Sequence, residues 1–234
     1  MRDNDPADSW VKLNGTDGYD ISVNERGDFF LVNKLGKLYQ YESPNWKEIT
    51  VFKNVRFYIE NKGIQVRLAD GCLMKKECQQ VGASMRLNST SSCGWRDPKD
   101  MAVGSDSTIW HLTYWDEIWA SKCGNSYSVP GSNLSRIAAG NGQVWMINRK
   151  GLVYRLKDPL NVKTGWEQIP GQTGRDITIS NDGQIFLVNN QGNIFQWNGT
   201  SWDQIEGNAG YRIAANNGKM LLISTGGEMY SRSY

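Results

Sequence analysis

Residues 166–197 read WEQIPG (166–171), DITIS (176–180), NDGQIFLVN (181–189) and NQGNIFQW (190–197). Short apolar runs alternate with Gly, Asn and Asp, the residues that turn a chain sharply, so the stretch predicts four short strands in succession. The same order returns from Trp202 as WDQIEG, YRIAA, NNGKMLLIS, TGGEMYSR, and from Trp10 as WVKLNG, YDISV, ERGDFFLVN, KLGKLYQY. A fourth copy reads SYSVPG, SRIAA, GNGQVWMIN, RKGLVYRL. Two copies are eroded: WKEI, VRFYI, NKGIQVRLA, DGCLMKK from Trp46, and CQQVG, DMAVG, DSTIWHLT, YWDEIWAS from Cys78. An insertion at residues 83–99 interrupts the latter copy.

The spacing is regular. Trp10 to Trp46 and Trp166 to Trp202 are both 36 residues, and Gly27 to Gly218 spans 191 residues in five repeats. Four strands per copy and six copies predict an all-β, six-bladed β-propeller with four antiparallel strands per blade. Residues 1–234 then form one domain, with 1–9 as an N-terminal extension. The chain begins with an outermost strand, Trp10 to Leu13, and ends with three strands lacking a fourth. The N-terminal strand is therefore expected to complete the C-terminal blade and close the ring, which removes an exposed edge.

Strand composition supports stacked blades. In the second strand of each copy, the columns Phe30, Val66, Trp110, Trp145, Phe186, Leu221 and Val32, Leu68, Leu112, Ile147, Val188, Ile223 are apolar. So, mostly, is the intervening column of Leu31, Arg67, His111, Met146, Leu187 and Leu222. A strand apolar on both faces must be covered on both faces. In the first strand, Ile21, Phe57, Met101, Ile137, Ile177 and Ile213 are followed mostly by Ser, Ala or Thr, small enough for the crowded centre of a ring.

Charge and composition narrow the function. The 26 basic and 24 acidic residues give a formal charge of +2 with no block of like charge, which argues against nucleic acid as a partner. No apolar stretch reaches the roughly 18 residues of a membrane span. The segment MRDNDPADSW has no signal-peptide core. Cys72 and Cys78 flank a predicted hairpin turn, and Cys93 and Cys123 lie within the third repeat. Two disulfides would imply an oxidising, extracellular or cell-surface setting, and four buried thiols are the alternative. The sequons at Asn14, Asn88, Asn133 and Asn198 are no more than chance gives.

The units VWMINRKGLVYRL (144–156) and IFLVNNQGNIFQW (185–197), each preceded by IAAG or ITIS and linked by W-x-x-I-x-G, resemble tectonin repeats. These repeats occur in slime-mould tectonins, horseshoe-crab tachylectin, fish-egg lectins and fungal tectonin lectins. The resemblance spans residues 10–232 and implies a six-bladed propeller that binds carbohydrate. Its implied ligands are microbial or cell-surface glycans or lipopolysaccharide, in defence or agglutination. GCLMKKECQ also resembles the tachylectin cysteine pattern with wider spacing. The same family serves as a protein interaction scaffold, which is the second reading.

The chemistry inventory favours binding over catalysis. The single histidine, His111, sits in a two-sided apolar column, and no His, Cys and carboxylate cluster has metal spacing. No nucleophile elbow or phosphate loop occurs, so neither an enzyme activity nor a cofactor is expected. Sugars need an aromatic plane beside fixed hydrogen-bonding groups. The recurring Trp10, Trp46, Trp145, Trp166 and Trp202 occupy strand columns and are read as packing. Outside those columns the candidate ligand-binding residues are Tyr19, Asp20, Trp95, Arg96, Trp115, Asp116, Tyr211 and Arg212. Six similar units suggest several weak sites in multivalent array, and a homo-oligomer would extend that array.

Overall fold

The turns explain where strands begin and end. Asn141–Gly142 and Asn217–Gly218 have positive φ at both residues, 43° and 68°, and 51° and 71°. That is the two-residue hairpin whose twist matches the flanking strands. In the five four-stranded blades the next turn is held by the polar residue that closes the apolar run of the second strand. Asn33 Oδ1 accepts from the Leu35 and Lys37 N–H groups, Asn148 Oδ1 from Lys150 and Leu152, and Asn189 Oδ1 from Gln191 and Asn193. Thr113 and Ser224 take that place with their hydroxyls, accepting from Glu117 and Glu228. A polar residue ending an apolar run is thus what reverses the chain.

The computed structural model describes residues 9–15, 17–23, 27–35, 37–49, 55–60, 63–68, 98–106, 108–122, 125–207 and 209–234. The chain opens with β1 (Val11–Leu13). It continues through β2 (Gly18–Val23), β3 (Phe29–Asn33), β4 (Leu38–Glu42) and β5 (Asn45–Ile49), which form one antiparallel sheet. Strands β6 (Val55–Glu60) and β7 (Gly63–Leu68) pair with each other. The next sheet holds β8 (Pro98–Val103), β9 (Ile109–Thr113), β10 (Ile118–Lys122) and β11 (Asn125–Val129). Then follow β12 (Leu134–Gly140), β13 (Gln143–Asn148), β14 (Leu152–Leu156) and β15 (Trp166–Thr173). The fifth sheet is β16 (Asp176–Ile179), β17 (Ile185–Val188), β18 (Ile194–Trp197) and β19 (Trp202–Ile205). The last is β20 (Gly210–Asn216), β21 (Lys219–Ser224), β22 (Met229–Ser233) and, outermost, β1.

The protein is therefore an all-β propeller of four-stranded antiparallel blades. The expected closure is present, since Val11, Lys12 and Leu13 of β1 pair with Ser231, Tyr230 and Met229 of β22. The expected count of six four-stranded blades is not met: among the described residues five sheets are four-stranded and the sheet of β6 and β7 has two strands. The eroded repeat accounts for the shortfall, because its next two strands were expected within residues 69–97, outside the described residues. Cys72, Cys78, Cys93, Cys123, Trp95, Arg96 and insertion residues 83–97 also lie outside them. The innermost strands succeed one another around a central channel in the order β2, β6, β8, β12, β16, β20 and back to β2.

The two-sided apolar strands are covered on both sides. In β17 all four residues are buried: Ile185 and Leu187 pack with Trp145, Ile147 and Ile177, while Phe186 and Val188 pack with Ile213, Ala215 and Leu222. Alternate side chains of one strand thus enter the cores on either side of its blade. Burying each such side chain contributes about 1.5–3 kcal/mol. His111 is 2% exposed in the matching column of β9, and burial pushes its imidazole down to about 4. It is a neutral core residue at neutral pH.

Candidate binding face

The innermost strand of a blade has a free edge, whose N–H and C=O groups need partners. Part of that need is met between blades. Asp100 Oδ2 accepts the Ile137 N–H at 2.8 Å, and Asp176 Oδ2 accepts the Ile213 N–H at 2.9 Å. Asp176 opens β16 and Asp100 is the third residue of β8, and each reaches from the inner strand of one blade to that of the next. Arg136, at the same position in β12, lies between them, 4.0 Å from Asp100 and 3.3 Å from Asp176. Arg212, at that position in β20, lies 3.4 Å from Asp20 of β2.

These side chains surround one mouth of a channel of about 140 Å³, lined deeper down by Ile21, Met101, Ile137, Ile177 and Ile213. Burial raises the Asp100 carboxyl to about 6 against the pull of Arg136 and the Ile137 N–H. Burial raises Asp176 further, to about 8, against Arg136 and helped by the charges of Asp20 and Asp100.

A β-bulge brings a second side chain to this face. In β2, β8, β12 and β20 the register slips just before the charged residue, between Gly18 and Asp20, Pro98 and Asp100, Leu134 and Arg136, and Gly210 and Arg212. Such a bulge sets two consecutive residues opposite one and re-aims their side chains. The extra residues are Tyr19, Lys99, Ser135 and Tyr211, while Arg175 precedes Asp176 in the fifth blade.

The rim is fixed by backbone. The Gly174 N–H donates to the Gly151 carbonyl, Gly210 to Gly192, and Gly18 to Gly227, each entry loop thereby leaning on the turn of the preceding blade. Gly192 has φ +88°, and a Cβ there would stand 3.1 Å from both Ala209 Cα and Gly210 N, so this contact requires glycine.

On this rim a cleft of about 430 Å³ opens over the fourth, fifth and last blades. Arg136, Arg149, Arg175, Arg212, Asn190 and Tyr211 give it its chemistry. Two guanidiniums lie against the Tyr211 ring, Arg212 at 4.3 Å and Arg175 at 5.5 Å from its centroid. Arg175 also donates to the Asn190 carbonyl at 2.8 Å. Arg149, in the turn after β13, pairs with Asp116 of the neighbouring blade at 2.8 Å.

Of the residues expected to bind ligand, Tyr19, Asp20, Trp115, Asp116, Tyr211 and Arg212 lie on this one face, and Tyr211 and Arg212 line the cleft. Trp115 is 59% exposed in the turn after β9. Asp116 sits at φ 63° where the equivalent turn residues are Gly151, Gly192 and Gly227. The recurring tryptophans pack inside the blades. Trp145 is fully buried, edge-on to Trp197 and Trp202 at 5.9 and 6.0 Å, and Trp166 and Trp10 donate to the Pro130 and Glu206 carbonyls.

The sequence reading missed Arg136, Arg149, Arg175, Asp100 and Asp176. A signal for three of them was present, because the residue before each first-strand aliphatic reads Asp20, Arg56, Asp100, Arg136, Asp176, Arg212. The charge alternates around the ring. Among the described residues no three His, Cys, Asp or Glu side chains are grouped to hold a metal ion, and no helix is long and apolar enough to cross a membrane.

Residues 133–232 match the Tectonin domain family. The Tectonin match runs from β12 into β22 and contains every residue lining the cleft. No curated protein sequence matches the chain. Solved structures resemble it in fold at low identity. The β-propeller domain of Cps50 (Swd1) from Myceliophteria thermophila has a TM-score of 0.65 and 7% identity, covering 97% of this chain and 100% of that one. A gluconolactonase from Xanthomonas campestris has a TM-score of 0.64 and 9% identity, covering 95% and 88%. The calcium-binding protein regucalcin from Agrobacterium tumefaciens has a TM-score of 0.57 and 10% identity, covering 95% and 90%. At such identities the likeness is to the propeller fold alone.

Proposed function

We propose that the chain is a non-catalytic lectin that recognises microbial or cell-surface glycans through the rim of its propeller. The observation that carries this reading is the rigid cleft inside the Tectonin-matching segment, where Tyr211 supplies an apolar plane and Arg175, Arg149 and Asn190 supply fixed polar groups. A volume of about 430 Å³ suits a saccharide unit. The strands repeat but the rim does not. Its bulge positions are Tyr19, Lys99, Ser135 and Tyr211, so the binding sites around the ring are chemically unequal.

Several finer features belong to the same reading. The sheet of β6 and β7 is the inner half of a sixth blade, the four cysteines form disulfides, and the protein works outside the cell in defence or agglutination. Multivalent binding follows when several rims meet one polysaccharide.

A glycan array followed by elution from immobilised polysaccharide with free sugar tests the reading. Retention released by a simple saccharide supports it. Absence of any glycan retention, with a stably co-purifying protein instead, would replace it with the interaction scaffold.

A further inference from the structure

We propose that the cleft over the fourth, fifth and last blades holds an oxyanion substituent of the glycan, a phosphate, sulfate or carboxylate, with Arg175 and Arg149 as its principal ligands. The sugar part of this proposal rests on the lectin reading; the anion part does not.

The case begins with charge. Four arginines line the cleft and no carboxylate does. Two of the four are accounted for at its floor, where Arg136 and Arg212 lie among Asp100, Asp176 and Asp20. Arg149 is anchored by Asp116 with its side chain half exposed, which leaves guanidinium donors directed to other partners. Arg175 differs. Its interactions are with the Asn190 carbonyl and the Tyr211 ring, and among the described residues no carboxylate pairs with it. An arginine fixed by neutral groups over a concave surface is an uncompensated positive charge, and the cleft focuses its field.

Lys99, beside the floor, has its ammonium pushed below the usual lysine range by burial and next by the charge of Arg149. Asp176, raised by burial, neutralises less of the arginine charge at neutral pH than an ordinary aspartate would.

Geometry then selects the ligand. A guanidinium presents parallel N–H donors that match a carboxylate, phosphate or sulfate in pairs. The Arg175 side chain is held from two sides, by Asn190 and by Tyr211, so little side-chain freedom remains to be lost on binding. Asn148 spends its side-chain oxygen on the Lys150 and Leu152 N–H groups, and its amide donors are left for an acceptor in the cleft. A neutral sugar offers hydroxyl oxygens as acceptors but no charge, so it would leave the Arg175 guanidinium uncompensated.

Calorimetric titration with glucose, glucose 6-phosphate, glucuronate, inorganic phosphate and inorganic sulfate tests the inference. The proteins are the wild type, the double variant Arg149→Gln with Arg175→Gln, Arg175→Lys, and the remote surface control Lys163→Gln. The expected result is that the anionic sugars bind at least about tenfold more tightly than glucose, an advantage that shrinks as salt rises. The double variant loses that advantage, Arg175→Lys keeps part of it, and Lys163→Gln keeps all of it. Unchanged thermal midpoints without ligand show that the variants are folded. Equal affinity for glucose and its anionic relatives, an advantage surviving in the double variant, or no response to any anion overturns the inference and leaves the lectin reading standing. Binding of phosphate or sulfate lost in the double variant, with no saccharide bound, supports the anion site and overturns the lectin reading instead.

Discussion

Asp176 Oδ2 and the Ile213 N–H form a 2.9 Å hydrogen bond between the inner strands of adjacent blades, and Asp100 makes the equivalent bond to Ile137 one blade pair earlier. Each carboxylate satisfies a backbone donor on a free strand edge. The same carboxylate also faces Arg136 across the channel mouth. In the third and fifth blades one residue thus ties neighbouring sheets together and contributes to the charge of the binding face. The burial that makes these bonds short-range also makes the carboxyls hard to ionise.

Stability should therefore fall as pH rises through the neutral range. A carboxyl raised from its ordinary value near 4 to about 8 binds more protons folded than unfolded, so its contribution is present at low pH and lost as pH climbs to the folded value. Above about 6.5 neither His111, near 4, nor Asp100, near 6, still opposes or adds much. Between pH 6.5 and 8.5 the loss from Asp176 amounts to roughly 2 kcal/mol. Asp176→Asn keeps an amide oxygen for the Ile213 N–H and removes the titration. Chemical denaturation at several pH values should give a flatter curve for the variant, whatever its constant offset from losing the Arg136 pair. Parallel curves would show that Asp176 is ionised throughout.

His111 makes the opposite contribution at acid pH. Its folded value near 4 lies below the ordinary 6.5, so the unfolded chain binds more protons and stability is lost as pH falls between those values. The loss approaches roughly 3 kcal/mol at pH 4. Asp100 works the other way over the same range, which masks part of the effect in the wild type. His111→Leu matches the Leu31, Leu187 and Leu222 of its column and should hold its stability down to pH 4.5. Equal acid sensitivity of the two proteins would assign that sensitivity elsewhere.

The parts of the fold that repeat were legible in the sequence, and the parts that occur once were not. The Trp166–Trp197 copy, the two-sided columns of β17 and β21 and the missing fourth strand beside Tyr230 led to the propeller and its closure by Leu13. The cleft was harder to see. Arg149 and Arg175 belong to neighbouring repeats, occupy different turns and share no column, so only the folded ring brings them together. The Asp and Arg alternation from Asp20 to Arg212 was visible in the columns, but hydrophobic periodicity passes over it. Its meaning depends on the bulges that turn those side chains to the mouth.

Closure by β1 yields a prediction specific to one edge. Its three residues pair with β22, and Trp10 just before them donates to the Glu206 carbonyl and packs with Phe186, Ile213 and Leu222. Trp10→Ala should cost about 2 kcal/mol, less than a fully buried tryptophan because the ring is partly exposed. Hydrogen exchange should then speed up first at the β22 amides, with β16 and β17 unaffected until global unfolding. Uniform acceleration across all blades would show that β1 does not lock the ring.

Trp145 and Trp115 separate packing from recognition. Trp145 is fully buried with Trp197 and Trp202 against it, so Trp145→Ala leaves a cavity and should cost about 3–5 kcal/mol. Trp115 is 59% exposed on the rim, and Trp115→Ala should change stability by no more than about 0.5 kcal/mol. The opposite order is expected for ligand. Trp115 stands in the same turn as Asp116, which holds Arg149 at the cleft, so its exposed side chain borders the path of a longer glycan. Trp115→Ala should weaken binding of an oligosaccharide several-fold while leaving a monosaccharide unaffected. If both ligands weaken equally, the ring acts through Asp116 and Arg149; if neither does, the glycan leaves the cleft over another blade.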